Sequence, residues 1–200
     1  YIIRDNPQGR ILDSASWGLI APWHKSFIDA SNSQSHAINA RSESIHEKPT
    51  FRQAFRTTRC LIPATGYYEW ATSLGEFPPK QPFYISSADE NKSLAIAGIW
   101  SSWKDENDRE IQSAAIITQE AVGELARIHS RMPVFMPLDR WSTWLDPQNR
   151  ELETLINLMR TLEPAKGLIS RPVSTRVNLV ANNGAELTKA IELGEAQTLF

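Results

Sequence analysis

Alternating apolar and polar positions dominate the first two thirds of the chain and read as short strands broken by turns. Tyr1–Arg4 predicts a strand, Asn6-Pro7-Gln8-Gly9 a turn, and Arg10–Ile20 a second strand that ends in Trp17-Gly18-Leu19-Ile20 before Pro22 and Trp23. Residues 24–35 are polar and rich in Ser and Asn, which predicts a surface loop, and His36–Ala40 predicts a short strand. A helix is expected from Pro49-Thr50, with Thr50 as N-cap, Phe51, Ala54 and Phe55 on one face, and Arg52 and Arg56 stacked on a solvated one. The stretch RCLIPATGYYEW, Arg59–Trp70, reads as extended. Period two then puts Tyr67 and Glu69 on one face and Tyr68 and Trp70 on the other.

Ser73–Pro79 is expected to be a loop. Gln81–Ser86, Leu94–Trp103 and Glu110–Thr118 follow as strands, with turns at Asp89-Glu90-Asn91 and Asp105-Glu106-Asn107-Asp108, a pattern that predicts an antiparallel meander. Later elements are a short helix over Gln119–Ala126, an irregular stretch Ile128–Met132, a strand at Val134-Phe135-Met136, a helix opened by Pro137 through Asp139–Leu145, a helix Arg150–Leu162 and a strand Leu168–Val173. Periodicity is lost from Asn182, so residues 182–200 are expected to form a tail behind one domain over 1–181. The fold class is α+β: a single domain with a mostly antiparallel, curved or barrel-like sheet and peripheral helices.

Composition narrows the chemistry. Two hundred residues suffice for one sizeable core. A net charge of −2 gives no bulk support to nucleic-acid binding. Its distribution says more: Arg41, Lys48, Arg52, Arg56 and Arg59 stand against Glu43 and Glu47, whereas Glu186, Glu192 and Glu195 outweigh Lys189 near the end. The single cysteine excludes a disulfide framework and a cysteine-rich zinc site, and fits a reducing, cytoplasmic location. No apolar run reaches membrane-spanning length, and no signal peptide opens the chain. His24, His36, His46 and His129 make no metal-ligand spacing, and no phosphate-binding glycine pattern occurs, so no metal or cofactor is expected. The first residue is Tyr1, already in a strand pattern, and the natural N-terminus is expected to lie upstream.

Four places could carry chemistry. Glu69, among aromatic residues, is either an exposed strand carboxylate or a poorly hydrated acid/base with a raised pKa. Cys60 lies in an apolar run and reads as a core thiol rather than a nucleophile. His129 precedes Arg131 in an irregular turn before Pro133, a placement open to both a surface and a catalytic role. Asn39 and Arg41 share a face of an extended segment, where an amide and a guanidinium could hold a carbonyl or a phosphate, or simply end a strand.

Taken in order, the words Trp17-Gly18-Leu19-Ile20, Asn39-Ala40-Arg41-Ser42-Glu43, Arg59-Cys60-Leu61-Ile62-Pro63, Gly66-Tyr67-Tyr68-Glu69-Trp70, Lys80-Gln81-Pro82, Ala97-Gly98-Ile99-Trp100, His129-Ser130-Arg131-Met132-Pro133 and Val173-Ser174-Thr175-Arg176-Val177-Asn178 resemble the SRAP family, the SOS response-associated peptidase domain that shields abasic sites in single-stranded DNA. The resemblance runs from about residue 1 to about residue 180. It implies that Asn39 contacts a covalent adduct, that Glu69 is an acid/base, that His129 assists the ring-opened sugar, and that Arg41 and Arg131 bind DNA phosphates, with Trp17 and Trp70 near the nucleic acid. It also implies a nucleophilic cysteine directly after the initiator Met. The chain departs from the pattern there, because Cys60 matches a strand cysteine of the family and Tyr1 lies downstream of that segment. The expected function is capture of abasic sites in single-stranded DNA as a thiazolidine, by a monomer without cofactor or membrane contact. The alternatives are a cysteine-type peptidase that removes its own leader and a non-covalent single-strand DNA binder.

Overall fold

The computed structural model describes residues 1–72 and 77–193. Of the expected loop Ser73–Pro79, and of the expected tail, the parts at 73–76 and 194–200 lie outside the described residues. The chain divides into two compact units, each discontinuous in sequence.

The first unit is formed by Tyr1–Pro63, Ala95–Gln119 and Pro133–Pro164. Strands β1 (Ile2–Asn6) and β2 (Gly9–Asp13) form a hairpin. Its turn is fixed by the Asn6 side chain, whose Oδ1 accepts from the Gln8 N–H at 2.9 Å, and by Gly9 at φ +122°, which a side chain would strain. β3 (Ser16–Trp17), α1 (Phe27–Gln34), β4 (Asn39–Arg41), α2 (Pro49–Thr57) and β5 (Arg59–Ala64) follow. β8 (Leu94–Lys104) and β9 (Glu110–Glu120) form a long hairpin, and the sheet order runs β9-β8-β5-β1-β2. Both β3 and β4 lie parallel to β9, one after the other along the strand. The described strands of this sheet follow an open path, not a closed barrel. α3 (Trp141–Leu145) and α4 (Leu152–Met159) cover the core of Phe55, Leu61, Ile99, Ile117, Trp144 and Leu155.

The second unit comprises Ala64–Leu94, Glu120–Met132 and the chain from Ala165 on. Its antiparallel sheet has β7 (Pro82–Ser87) at the centre, between β6 (Gly66–Trp70) and β11 (Leu168–Pro172). Gly66 allows the close packing of this sheet: a Cβ there would meet Tyr84 at 2.4 Å and the Ile85 carbonyl oxygen at 2.6 Å. The short strand β10 (Arg131–Pro133) follows the 3-10 helix Gly123–Arg127.

Several local expectations fail for identifiable reasons. The predicted loop at 24–35 contains α1, started by Ser26, whose hydroxyl accepts from the Asp29 N–H. That helix buries only Ala30, so its sequence carries almost no apolar stripe. The predicted meander is split: β7 pairs with β6 and β11, while β8 pairs with β9. The turn after β7 redirects the chain instead of returning it as a hairpin. α2 begins at Pro49 with Lys48 at the N-cap, so Thr50 lies inside the helix. The predicted helix Gln119–Ala126 is a strand end followed by the 3-10 turn. Past Asn182, a further 3-10 turn at Ala185–Thr188 buries Leu187, and Ala190 bridges to Val173.

Arg59 also leaves the basic surface counted from the sequence, being 2% exposed. Its guanidinium donates to the carbonyl oxygens of Trp144 at 2.6 Å, Arg56 at 2.7 Å, Asn149 at 2.9 Å and Phe55 at 3.0 Å, and to that of Asp146. All but that of Asn149, in the segment after α3, sit at the C-terminal ends of α2 and α3, where orphan acceptors and the helix dipole favour a cation. Burial lowers the Arg59 pKa to about 10, which leaves it charged at neutral pH. Arg59→Met is expected to cost roughly 3 kcal/mol or more in urea unfolding, because buried carbonyls lose their donors. A loss below about 1 kcal/mol would mean that water reaches those oxygens.

Candidate functional site

In the first unit, the register along β9 aligns the predicted residues. Trp17 lies opposite Ala114, Asn39 opposite Ile116 and Arg41 opposite Thr118. These partners alternate along one strand, so the three side chains share one face at steps of about 7 Å. Ala40 points the other way and is fully buried, while Asn39 and Arg41 are exposed. Trp17 is 61% exposed, and its Nε1–H donates to the Ile38 carbonyl at 2.9 Å, which fixes the plane of the indole. The following Gly18, at φ +106°, lies against α1: a Cβ would sit 2.3 Å from the Gln34 carbonyl oxygen. An apolar recess of about 230 Å³ opens beside Trp17, floored by Ile2, Ile62, Ala114 and Ile116.

Cys60 is packed beneath that floor, in contact with Ile2 and Ala114 and on the same strand face as Ile62. It is fully buried against Gly98, and burial pushes its thiol pKa up. A protonated, inaccessible thiol is a core group.

In the second unit, Glu69 and His129 come together across sixty residues of sequence. The carboxylate Oε2 lies 3.8 Å from His129 Nδ1, and Oε1 accepts from the Trp70 N–H at 3.0 Å. Burial raises the Glu69 pKa, opposed by the Trp70 N–H and then by His129. Tyr67, on the same strand face, has its phenol pKa raised by burial and then by the Glu69 charge. The opposite face carries Tyr68 and Trp70, with ring centroids 6.5 Å apart, and Tyr84 at 5.2 Å from Tyr68.

His129 is held by backbone. The 3-10 turn before it closes through His129 N–H to the Leu125 carbonyl at 3.1 Å, and Thr72 N–H donates to the Ile128 carbonyl at 3.0 Å. The Arg131 N–H lies 3.0 Å from His129 Nδ1. In the neutral ring Nδ1 accepts that bond, so the proton sits on Nε2. In the doubly protonated ring Nδ1–H faces the Arg131 carbonyl oxygen at 3.2 Å and the Glu69 carboxylate. The Arg131 residue itself is half-buried.

Sequence reasoning gave no role to Asn178. Its Oδ1 accepts from the Trp70 Nε1–H at 2.7 Å. The only available signal was the word Val173–Asn178, which carries no chemistry by composition.

The raised Glu69 pKa has a consequence for stability. The folded protein binds this proton more tightly than the unfolded chain, so stability falls as pH rises from the unfolded carboxyl value, about 4.3, through the folded one. Glu69→Gln removes that loss. Its urea midpoint should gain on the parent's as pH rises from about 4 toward neutrality. Parallel midpoints over that range would show the carboxylate to be hydrated as in the unfolded chain.

The sequence profile of the SOS response associated peptidase (SRAP) family matches residues 1–180. The abasic site processing protein YoaM of Bacillus subtilis is 35% identical over 189 residues, covering 94% of this chain and 79% of the relative. The abasic site processing protein HMCES of Gallus gallus is 30% identical, covering 92% of this chain and 59% of the relative. A solved protein from Bacteroides thetaiotaomicron superposes with a TM-score of 0.83 at 26% identity, over 96% of this chain and 81% of the other. The chain therefore belongs to the SRAP family.

Proposed function

We propose that this protein processes abasic sites in single-stranded DNA by covalent capture of the ring-opened sugar. The observation that carries the reading is the Glu69–His129 pair, a poorly hydrated carboxyl 3.8 Å from an imidazole with a backbone-set tautomer, in a member of the SRAP family. Relatives named as abasic site processing proteins support the substrate class.

An abasic site interconverts with an open-chain aldehyde. In this reading the nucleophile is the N-terminal cysteine expected upstream of Tyr1. A terminal amine has a pKa of about 7.7–8.0, so a useful fraction is neutral near pH 7. The amine adds to the aldehyde carbon, the carbinolamine loses water, and the thiolate closes on the imine carbon. The product is a five-membered thiazolidine, with one water released. Cys60 cannot substitute, since its nitrogen is in a peptide bond and its thiol is buried.

Glu69 gives a proton to the departing hydroxyl and takes one back from the amine, a role that a pKa nearer neutrality serves. His129 donates from Nε2 to the sugar oxygen. Asn39 holds the lesion through its amide. Arg41 and Arg131 hold flanking phosphates, and the exposed rings of Trp17 and Trp70 offer faces to neighbouring bases. The protein acts in this proposal as a cytoplasmic monomer without cofactor. Among the described residues, no helix is long and apolar enough to cross a membrane.

The test is the intact mass of the natural protein, alone and after incubation with abasic single-stranded DNA. A DNA-sized mass gain with loss of one water supports covalent capture, and DNA binding without any gain overturns it. Glu69→Gln should slow adduct formation roughly 100-fold while leaving the affinity for undamaged strand nearly unchanged. Arg41→Ala should weaken binding to all sequences alike and lower the salt slope by about 0.7. An unaltered slope would remove Arg41 from the phosphate contacts.

A further inference from the structure

The segment that carries Asn178 is anchored at several points in the second unit. The Gln81 side-chain amide, buried, donates to the Pro82 carbonyl at 2.9 Å and the Val173 carbonyl at 2.8 Å. Val173 N–H donates to Pro82 O at 3.0 Å, and Ile191 N–H to Pro172 O at 2.9 Å. Ser174 then caps the 3-10 helix Thr175–Asn178, its hydroxyl accepting from the Arg176 N–H at 3.3 Å. Asn182 closes the turn by donating to the Arg176 carbonyl at 2.7 Å. The result is a rigid arm that ends with the Asn178 carboxamide on the Trp70 indole.

Trp70 needs such an arm. It is the last residue of β6, and its register partner Pro82 turns its carbonyl to Val173, away from β6, so residue 70 makes no ladder bond of its own. Its indole is 38% exposed and would otherwise be free to change rotamer. Its own backbone N–H is directed at Glu69 Oε1, at 3.0 Å, and not across the sheet. The ladder bonds of Ala71 with Gln81 and Lys80 hold the neighbouring backbone, and the Asn178 bond fixes the side chain of the residue whose N–H aims the carboxylate.

We infer that Asn178 is a positioning residue for Glu69, acting through the Trp70 side chain and its N–H. This role rests on the proposed acid/base function of Glu69 for its meaning in catalysis, but not for its geometry. Asn178 gives the C-terminal arm a part in the site, although it touches neither substrate nor the reacting carboxyl. The supporting electrostatics run the same way: the Trp70 N–H is the largest influence that opposes the effect of burial on the Glu69 proton.

The test uses Asn178→Leu, which removes the acceptor at similar volume, and Asn178→Asp, which keeps an oxygen, in the natural full-length protein. In Asn178→Leu, the Trp70 indole Nε1–H resonance should move to a solvent-like position, and the Glu69 midpoint, read by carbon NMR titration, should move further up. Asn178→Asp should keep the bonded indole resonance. Adduct formation with abasic single-stranded DNA should slow about tenfold in Asn178→Leu, with its pH profile displaced in the direction of the NMR midpoint. Trp70→Phe combined with Asn178→Leu should displace the Glu69 midpoint no further than Trp70→Phe alone. An indole resonance that moves while the Glu69 midpoint stays fixed overturns the inference, and so do additive effects of the two substitutions. The NMR readings are made without DNA. If the parent forms no adduct, the functional proposal fails while these readings still decide the role of Asn178.

Discussion

The first unit depends on one guanidinium. Arg59 starts β5, the strand between β8 and β1, and donates to five backbone carbonyls from two helix ends and the segment after α3. Few side chains could do this. A lysine has three donors on one atom, whereas the planar fork of Arg reaches several separated acceptors. The arrangement resolves three problems together: the orphan carbonyls of α2, those of α3, and the place where β5 enters the sheet. The next residue, Cys60, then faces Gly98, where the absence of a Cβ lets sulfur approach. Trp144 caps the same corner by donating from Nε1 to the Cys60 carbonyl at 2.9 Å. A cation is thus used as a structural clamp in a stretch where the sequence shows only a cluster of positive charge.

Strand alternation in both units places the side chains to which the proposed function assigns roles. Asn39-Ala40-Arg41 has an exposed, buried, exposed pattern, so one buried alanine is enough to direct an amide and a guanidinium outward together. On β6, alternation puts Glu69 beside Tyr67 and separates it from Tyr68 and the Trp70 ring. A carboxylate on the half-buried side loses hydration, which favours its proton, and the Trp70 N–H recovers part of that loss. The environment is therefore a compromise. Complete burial without donors would keep the acid protonated and useless as a base, while full exposure would leave it ionised and useless as an acid.

What was legible in the sequence follows from what is local. The faces of β4 and β6, the core position of Cys60 and the α+β class were all readable from period and residue type. Helix α1 was not, because its contribution to the core is Ala30 alone and its start depends on a serine hydroxyl. The pairing of β7 was not, because a turn signal states that the chain bends but not which strand receives it. The approach of Glu69 to His129 joins residues far apart in the chain, and only the family resemblance suggested it. Asn178 lay within a recognised word, yet its partner is the indole of residue 70. A hydrogen bond between such distant residues leaves no periodic trace.

The separation of Glu69 and His129 is itself informative. At 3.8 Å, Oε2 and Nδ1 are too far apart for a strong hydrogen bond, although both groups are held by backbone N–H donors. Had they formed a tight ion pair, each would have stabilised the charged state of the other, and neither would exchange a proton readily. The Arg131 N–H instead occupies Nδ1 of the neutral ring and leaves the proton on Nε2. The carboxyl and the imidazole then offer protons from different atoms and in different directions. Such a pair is suited to reversible chemistry in which one oxygen must be protonated as it leaves while another proton is taken from nitrogen. The two groups are near enough to sense each other's charge, and the fold keeps them from neutralising it.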